Sequence, residues 1–161
     1  MRAISRLVFG LAVLVGAIGA LFVAGMRAKN PIVIDTVRKG GRATKKYVLP
    51  KAGEPGGSIS VVRHVGRTTG KPYETPVQAV EVDDGFAIAL PYGTNTDWLK
   101  NVMASGSATL AHDGNIHPVD RPEVVPLSDV SDRFSASDQR MHKWFRVEQC
   151  LVVREVEPAT T

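Results

Sequence analysis

Hydrophobic residues follow one pattern before residue 27 and a different one after residue 57. Residues 7–26 are apolar without interruption and contain no charged side chain. A helix of this length rises about 30 Å, which matches the hydrocarbon thickness of a bilayer. The pattern predicts a transmembrane anchor over residues 1–28, and a cleaved signal peptide is the alternative.

From residue 58 the apolar positions recur with a period close to two, which is typical of strands. The predicted strands are residues 58–65, 73–82, 86–90, 107–112, 116–125 and 147–156. Asp-Gly pairs at 84–85 and 113–114 favour hairpin turns. Helical spacing predicts helices over 98–105 and 128–143. Short strands in hairpin order predict an α+β fold, mainly β, built as a small antiparallel barrel.

Two prolines interrupt the fifth predicted strand, at Pro118 and Pro122. Proline cannot donate a hydrogen bond to a neighbouring strand, so it is confined to edge strands, strand starts and bulges. We therefore expect this strand either to lie at an edge or to contain a bulge.

The charges divide the chain near the same place. Residues 1–46 carry nine basic side chains and one acidic side chain, whereas residues 47–161 carry eleven basic and fifteen acidic ones. The net charge of +4 is thus the sum of +8 beside the predicted anchor and −4 on the body. An acidic body argues against nucleic-acid binding.

The basic residues after the apolar run place the body in the cytoplasm by the positive-inside rule, whereas a signal peptide would place it outside.

Residues 29–57 are predicted to be a basic neck and linker between the anchor and a barrel domain over 58–157. The Lys and Arg residues of the neck could lie on anionic lipid headgroups, or the segment could be a solvated linker. Pro and Gly residues at 47–57 indicate a connecting loop.

The sequence contains no familiar catalytic motif. Its four histidines lack the spacing of a metal site, and no nucleophile-elbow or Walker A motif occurs. Cys150 is the only cysteine and lies in an apolar strand, as a core residue would. This pattern favours a protein that binds a cofactor and lets the cofactor carry the reaction.

Two segments have the composition of loops that bind anions or rings. The segment 66–71, GRTTGK, combines turn glycines, hydroxyl donors and cations, and such a turn can hold a phosphate. An ordinary hairpin turn is the alternative. The segment 91–97 leads into a helix N-terminus, which favours an anion unless the carboxylate of Asp97 points at the same spot. A capped helix with Trp98 packed into the core is the alternative here.

Together these segments resemble the deazaflavin-dependent nitroreductase family, which is common in actinobacteria. The resemblance covers residues 58–156 and rests on HVGRTTGKPYETPV at 64–77, ALPYGTNTDWLKNVMASG at 89–106 and the apolar last strand. It implies a split β-barrel, similar to FMN-binding split barrels, with two helices and, in this chain, one preceding transmembrane helix. It also implies coenzyme F420, an 8-hydroxy-5-deazaflavin, rather than FMN, as hydride donor to a quinone, nitro compound or enone.

The resemblance assigns cofactor-binding roles by position. The residues that would hold the coenzyme's phosphate and acidic tail are Arg67, Thr68, Thr69, Gly70 and Lys71. Those that would line the ring, its edge and the ribityl chain are Pro76, Val77, Tyr92, Gly93 and Thr94. Those that would close the pocket from the helix are Trp98 and Asn101. Tyr92 is also the catalytic candidate, because its hydroxyl or water could supply the proton that accompanies hydride.

The sequence departs from the family pattern at two places. Tyr73 stands where family members often carry a basic residue, and GTNT at 93–96 is uncharged where they often carry Lys or Arg. Two cations that would face the acidic tail are therefore missing, although Lys71 could replace one. A third segment, 138–145, could form an apolar rim for the acceptor or could simply pack on the barrel.

These observations predict a membrane-anchored, deazaflavin-dependent oxidoreductase that acts on a lipophilic acceptor such as a quinone. The alternative is a catalytically inactive split-barrel accessory subunit of a larger membrane complex, with Gly16, Gly19 and Gly25 available for helix packing. A third interpretation is a related barrel that binds a flavin, a tetrapyrrole or a lipid. We expect membrane lipids and the acceptor as partners, no metal and no nucleic acid, and the resemblance leaves a homodimer open.

Overall fold

The computed structural model describes residues 2–156, with their side chains from residue 11 onward. The outer ends of the predicted anchor and barrel segments, residues 1 and 157, lie outside this range. Two long helices come first, α1 (Arg2–Arg27) and α2 (Pro31–Val48), and a short 3-10 helix (Leu49–Lys51) follows. The hydrophobic pattern did not predict α2, although its start is signalled: Asn30 accepts a hydrogen bond from the Ile32 N–H, and Pro31 stands at the first helical position.

The described residues form seven strands and two further α-helices. The strands are β1 (Ser60–Val65), β2 (Pro72–Val77), β3 (Ala79–Val82), β4 (Gly85–Ala89), β5 (Ser107–His112), β6 (Asn115–Pro126) and β7 (Gln149–Glu155). Helix α3 (Asp97–Ser105) joins β4 to β5, while a 3-10 helix (Leu127–Arg133) and α4 (Ala136–Phe145) join β6 to β7. The α+β class is confirmed.

Two predicted elements are divided in the structure. The single strand predicted over 73–82 is wrong, because the chain leaves the strand conformation at Gln78 and forms β2 and β3. The single helix predicted over 128–143 is also wrong. Phe134 is extended there, and Ser135 begins a new helix by accepting a hydrogen bond from the Asp138 N–H.

The seven strands make one antiparallel sheet in the order β2-β1-β5-β6-β7-β4-β3. Strands β2 and β3 lie at its two edges, yet only Gln78 separates them along the chain. The sheet must therefore curl until its edges meet, which makes it a split barrel. Strand β6 lies inside the sheet and contains a bulge between Asp120 and Glu123, so the edge prediction was wrong and the bulge prediction is confirmed.

Apolar side chains fill both faces of the curled sheet. The interior cluster joins strands from both halves of the sheet to α3, and it includes Val62, Phe86, Leu99, Leu110 and Leu151. An outer cluster lies between β4, β7 and the α4 region, and it includes Ala87, Leu127, Phe134, Val147 and Cys150. Every residue of β4 is buried, as its continuous apolar run indicated.

The junction between α1 and α2 docks on the barrel. Met26 is buried, and the rings of Phe22 and Phe145 meet edge to face with centroids 6.2 Å apart. Lys29 Nζ donates hydrogen bonds to the carbonyl oxygens of Pro91 at 3.0 Å and Phe145 at 3.2 Å. These contacts join the two helices to the loop after β4 and to the end of α4.

Helix α1 exposes many of its apolar side chains, including Leu11, Leu14, Ile18 and Leu21. Over the residues that the structure describes, no single helix is both long and apolar enough to cross a membrane. Two consecutive helical stretches, Leu11–Arg27 and Pro31–Lys51, meet the criterion together across a bend of 102°. The transmembrane helix predicted for residues 7–26 stays a prediction.

Candidate functional site

The turn between β1 and β2 is a closed loop of hydrogen bonds. The Gly66 N–H donates to the Lys71 carbonyl at 2.9 Å, and the Gly70 N–H donates to the Gly66 carbonyl at 2.8 Å. Gly70 has φ +65°, a conformation that favours glycine. Thr68, Thr69 and Lys71 are exposed on this turn. The Thr69 hydroxyl lies 3.3 Å from Tyr73 Oη and accepts a hydrogen bond from the Lys71 N–H, also at 3.3 Å.

Arg67 joins this turn to helix α3. Its backbone N–H and its Nη1 both donate to Asn101 Oδ1, at 3.1 and 2.8 Å. Its Nη2 lies 3.3 Å from Asp97 Oδ1. Two residues predicted from separate motifs, Arg67 and Asn101, are thus in direct contact, and Asn101 is only 6% exposed.

His64 extends this hydrogen-bonded chain into the barrel. Asn101 Nδ2 lies 3.2 Å from His64 Nδ1, and His64 Nε2 lies 3.2 Å from Thr75 Oγ1. Because Asn101 Oδ1 already accepts from Arg67, its Nδ2 must donate, so His64 Nδ1 accepts and Nε2 carries the proton. Burial, together with the positive charge of Lys45, lowers the pKa of His64 and favours this neutral form.

Sequence reasoning placed His64 in the motif but gave it no role. A signal was present, because His64 follows Val62 by two residues, and alternate residues of a strand share a face. Val62 lies in the interior cluster, so His64 points the same way, toward Asn101.

The N-terminus of α3 contains two groups that bear on anion binding. Thr96 is the N-cap residue, but its side chain makes no capping bond, and its buried Oγ1 has no hydrogen-bond partner among the described residues. The Asp97 carboxylate is exposed and lies 3.3 Å from Arg67 Nη2 and 3.5 Å from Arg38 Nη2 on α2. Asp97 therefore does face the place where the sequence suggested an anion.

The loop after β4 brings the remaining motif residues to the same end of α3. The Gly93 N–H donates to the Leu90 carbonyl at 3.0 Å, and Gly93 has φ +73°, with open space where a side chain would stand. Tyr92 is half-buried, and burial raises the pKa of its hydroxyl. Thr94 is exposed, and Trp98 is half-buried against the interior cluster, as the packing interpretation expected.

Pro76 and Val77 lie at the other end of the β1–β2 hairpin from the turn. They pair with Val61 and Ser60, whereas Pro72, beside the turn, pairs with Val65. At about 3.3 Å per residue, Val77 is about 16 Å along the strand from Pro72. Only an elongated ligand could contact both ends of the hairpin.

Two cavities lie outside the predicted residue set. The first has a volume of about 610 Å³, lies between α2 and the β1–β2 hairpin, and is lined by residues that include Lys45, Arg63, His64, Tyr73 and Glu74. The second, of about 420 Å³, lies beside α4 and is lined by residues that include Leu127, Gln139 and His142. None of the residues assigned to the cofactor lines either cavity, although Tyr73, one of the departures from the family pattern, lines the first.

Of the large apolar side chains in the segment 138–145, one is packed and two are exposed. Phe145 contacts α1 and packs on the outer cluster, whereas Trp144 is 67% exposed and Met141 is 37% exposed. The described residues contain no group of three or more His, Cys, Asp or Glu side chains that could hold a metal ion.

Comparison with known proteins gives one family match. A family model described as F420H(2)-dependent quinone reductase matches residues 37–156, from within α2 to the end of β7. No curated protein matches the chain.

Several solved structures are similar to this chain. An F420-H2 dependent reductase is 15% identical, with 60% of this chain and 94% of that chain covered and a TM-score of 0.47. A protein of unknown function from Agrobacterium tumefaciens is 13% identical, with 63% and 49% covered and a TM-score of 0.44. A domain-swapped dimer is 14% identical, with 73% and 98% covered and a TM-score of 0.45.

Proposed function

Because this chain belongs to the family of F420H2-dependent quinone reductases, we propose that it is a membrane-anchored oxidoreductase that passes hydride from reduced F420 to a lipophilic acceptor. The family implies the coenzyme and the reaction class. The anchor, the cytoplasmic location and a quinone as acceptor are our proposal. The observation that supports it best is the contact between Arg67 and Asn101, which joins the two motifs at the N-terminus of α3.

The residues at this contact suit an anionic part of the coenzyme. Arg67 presents a guanidinium, Thr68 and Thr69 present exposed hydroxyls, and Thr96 has a buried hydroxyl without a partner among the described residues. Hydrogen bonds from a guanidinium to a phosphate are charge-assisted and stronger than neutral ones. These groups would therefore hold the coenzyme's phosphate, while the length of the hairpin suits its ring and tail.

The chain's own side chains would orient the coenzyme and keep water away from it. When bound, reduced F420 supplies hydride from C5 of its ring. Pro76 and Val77 offer apolar contacts from β2, and the half-buried Trp98 shields the site from α3. Tyr92 holds its proton at neutral pH, as tyrosine hydroxyls ordinarily do, and burial raises its pKa further. Its Oη could give that proton to the acceptor.

The position of α1 supports a lipophilic acceptor. Lys29, just after α1, bonds to the carbonyl of Pro91, which precedes Tyr92, Gly93 and Thr94. An apolar helix in a bilayer would thus hold this loop close to the membrane surface, where a membrane-dissolved quinone is concentrated. The basic residues that follow α1 favour a body in the cytoplasm.

Fluorescence titration tests this proposal. The full chain in mild detergent is titrated with oxidised F420 up to about 50 µM, a range that detects a micromolar complex. We expect saturable binding that is weakened in Arg67→Ala and Trp98→Ala but unchanged in Arg154→Ala. Arg154 lies near the C-terminal end of β7, where it pairs with Asp84 rather than with any residue of the site. Absence of saturable binding would exclude the enzyme, and full affinity in both site variants would refute the placement of the site.

A specific observation keeps the accessory-subunit interpretation in view. Asp97 places a carboxylate on Arg67, and the loop 93–96 supplies no cation. A barrel of this kind could keep its fold without binding the coenzyme. The same titration distinguishes the enzyme from the accessory subunit. Of the three glycines available for packing with other subunits, Gly25 already packs against Val33 within this chain.

The proposed topology has its own test. Glu54 is exposed in the loop before β1, and Cys150 is buried. A Glu54→Cys variant should stay unlabelled when intact cells are treated with a membrane-impermeant maleimide, and should react after the membrane is opened. Labelling of intact cells would show that the body is exported.

A further inference from the structure

Helix α2 presents two cations to the barrel. Arg38 Nη2 lies 3.5 Å from Asp97 Oδ2 at the N-terminus of α3. Lys45 lines the 610 Å³ cavity together with His64 and Tyr73. The two basic residues are seven positions apart, so they lie on one face of the helix and about 10 Å apart along its axis.

The other cations of α2 contact partners on the same helix: Lys46 Nζ lies 4.8 Å from the centre of the Tyr47 ring. Lys39 and Arg42 pair with Asp35 of the same helix, at 2.8 and 3.9 Å. None of the residues of α2 is buried. Val33, Ile34, Val37 and Val48 of α2 are half-buried, so apolar contacts hold part of the helix. Its two barrel-facing cations are not part of that packing and call for a separate explanation.

We propose that Arg38 and Lys45 supply the two cations that the barrel loops lack, so that α2 forms one wall of the coenzyme site. The inference rests on the proposed function, since it takes F420 as the ligand. Arg38 would join Arg67 around the phosphate, and Lys45 would face the carboxylates of the acidic tail. The family match begins at residue 37, so it includes both residues.

Asp97 explains how the two arginines are held before the coenzyme binds. Its carboxylate lies between Arg67 and Arg38, where it partly neutralises both guanidinium groups. The coenzyme's phosphate would compete with this carboxylate for both guanidinium groups through charge-assisted hydrogen bonds. The buried Thr96 hydroxyl, which has no partner within the described part of the chain, adds an independent sign that this helix end is incomplete without a ligand.

The cavity beside Lys45 has the position and charge that a tail would need. It lies next to the turn that would hold the phosphate, and both Lys45 and Arg63 line it. Arg63 is paired with Glu74 at 3.1 Å, whereas no ion pair within 4 Å is found for Lys45 among the described residues. Lys45 is therefore the cation of this cavity that remains available for a carboxylate.

Two ligands that contain the same ring distinguish binding of the ring from binding of the phosphate and acidic tail. Oxidised F420 has the ring, the phosphate and the acidic tail, whereas 8-hydroxy-5-deazariboflavin has the ring and ribityl chain alone. The full chain is titrated with each ligand as wild type, Arg38→Gln, Lys45→Gln and Arg42→Gln. Arg42→Gln is the matched control, because it removes the same charge from the same helix but from a side chain that pairs with Asp35.

We expect Arg38→Gln and Lys45→Gln each to weaken F420 binding about tenfold, the effect of one charge-assisted contact, and Arg42→Gln to change it by less than about twofold. None of the three should change binding of the ring alone. Raising the salt concentration should weaken binding to the wild type more than to either variant.

The outcomes separate this inference from the proposed function. Wild type that fails to bind F420 overturns the proposed function and this inference with it. Wild type that binds, with Arg38→Gln and Lys45→Gln no weaker than Arg42→Gln, overturns the inference alone. Equal losses for F420 and for the ring alone also overturn it, because the variants would then have disturbed the site rather than removed contacts to the tail.

Discussion

Replacing Asn101 with alanine should destabilise the fold and loosen the turn that carries Arg67. The Asn101 amide accepts two hydrogen bonds from Arg67 and donates one to His64. Alanine can make none of them, and the site is too enclosed for water to replace them all, since Asn101 is 6% exposed and His64 is 7% exposed.

The magnitude follows from the groups left without partners. The Arg67 backbone N–H and His64 Nδ1 would lose their bonds in partly or fully buried positions, and each such group costs about 1–3 kcal/mol. The Arg67 guanidinium is a third of the way exposed and can bond to water, so its loss adds little. We expect the free energy of unfolding to fall by about 2–6 kcal/mol.

Chemical denaturation of the full chain, followed by circular dichroism, measures this change. Asn101→Asp is the informative control, because it keeps an acceptor for Arg67 but places a second acceptor opposite His64 Nδ1. His64 must then be protonated, so its pKa in the folded state rises, and the lost stability should return as the pH falls below about 6.5. A loss below about 0.5 kcal/mol in Asn101→Ala, typical of surface substitutions, would refute this account of the contact.

Three further predictions concern stability and reactivity. Burial lowers the pKa of His64 and His142, so the unfolded chain binds more protons than the folded chain does. At pH values below about 6.5, the free energy of unfolding should therefore decrease, by up to about 1.4 kcal/mol per pH unit for each histidine. Denaturation curves that do not change with pH would contradict this. Burial raises the pKa of Cys150 to about 11, so thiol reagents should label it only as the chain unfolds, and rapid labelling of the folded chain would contradict its core position. Gly85→Ala would drive Cβ into the carbonyl oxygen of Val153 on β7 and should cost more than about 2 kcal/mol in a thermal melt, whereas Gly41→Ala, in open space on α2, should stabilise by about 0.5–1 kcal/mol.

The proposed function depends on how α1 and α2 are joined to the barrel. Lys29 holds the helix junction to the loop that carries Tyr92, and Arg38 reaches the first residue of α3. The same pair of helices therefore connects the apolar segment at one end with the cofactor residues at the other. In the proposed function, these two helices therefore join the membrane anchor directly to the coenzyme site.

Local patterns in the sequence predicted most of the strands and the two motif loops. A period close to two located β1, β5 and β7 within a few residues, because side chains alternate between the two faces of a strand. A continuous apolar run located β4. Asp113 and Gly114 have the positive φ values that their hairpin turn requires. The sequence missed the break at Gln78, because the segment 73–82 contains no glycine or Asp-Gly turn at the point where one strand becomes two edges.

Short-range patterns in the sequence thus specify the α+β class, the antiparallel hairpins, the basic segment before the barrel, and the two loops whose residue types suit an anionic coenzyme. These features depend on neighbours within a few residues, and local sterics and turn chemistry decide them. The folded chain adds three contacts that no local pattern predicts: Asn101 holds Arg67, His64 supports Asn101, and Arg38 of α2 reaches Asp97. Each of these contacts joins residues more than thirty positions apart, and such contacts form only because the curled sheet and the packed α3 bring them together.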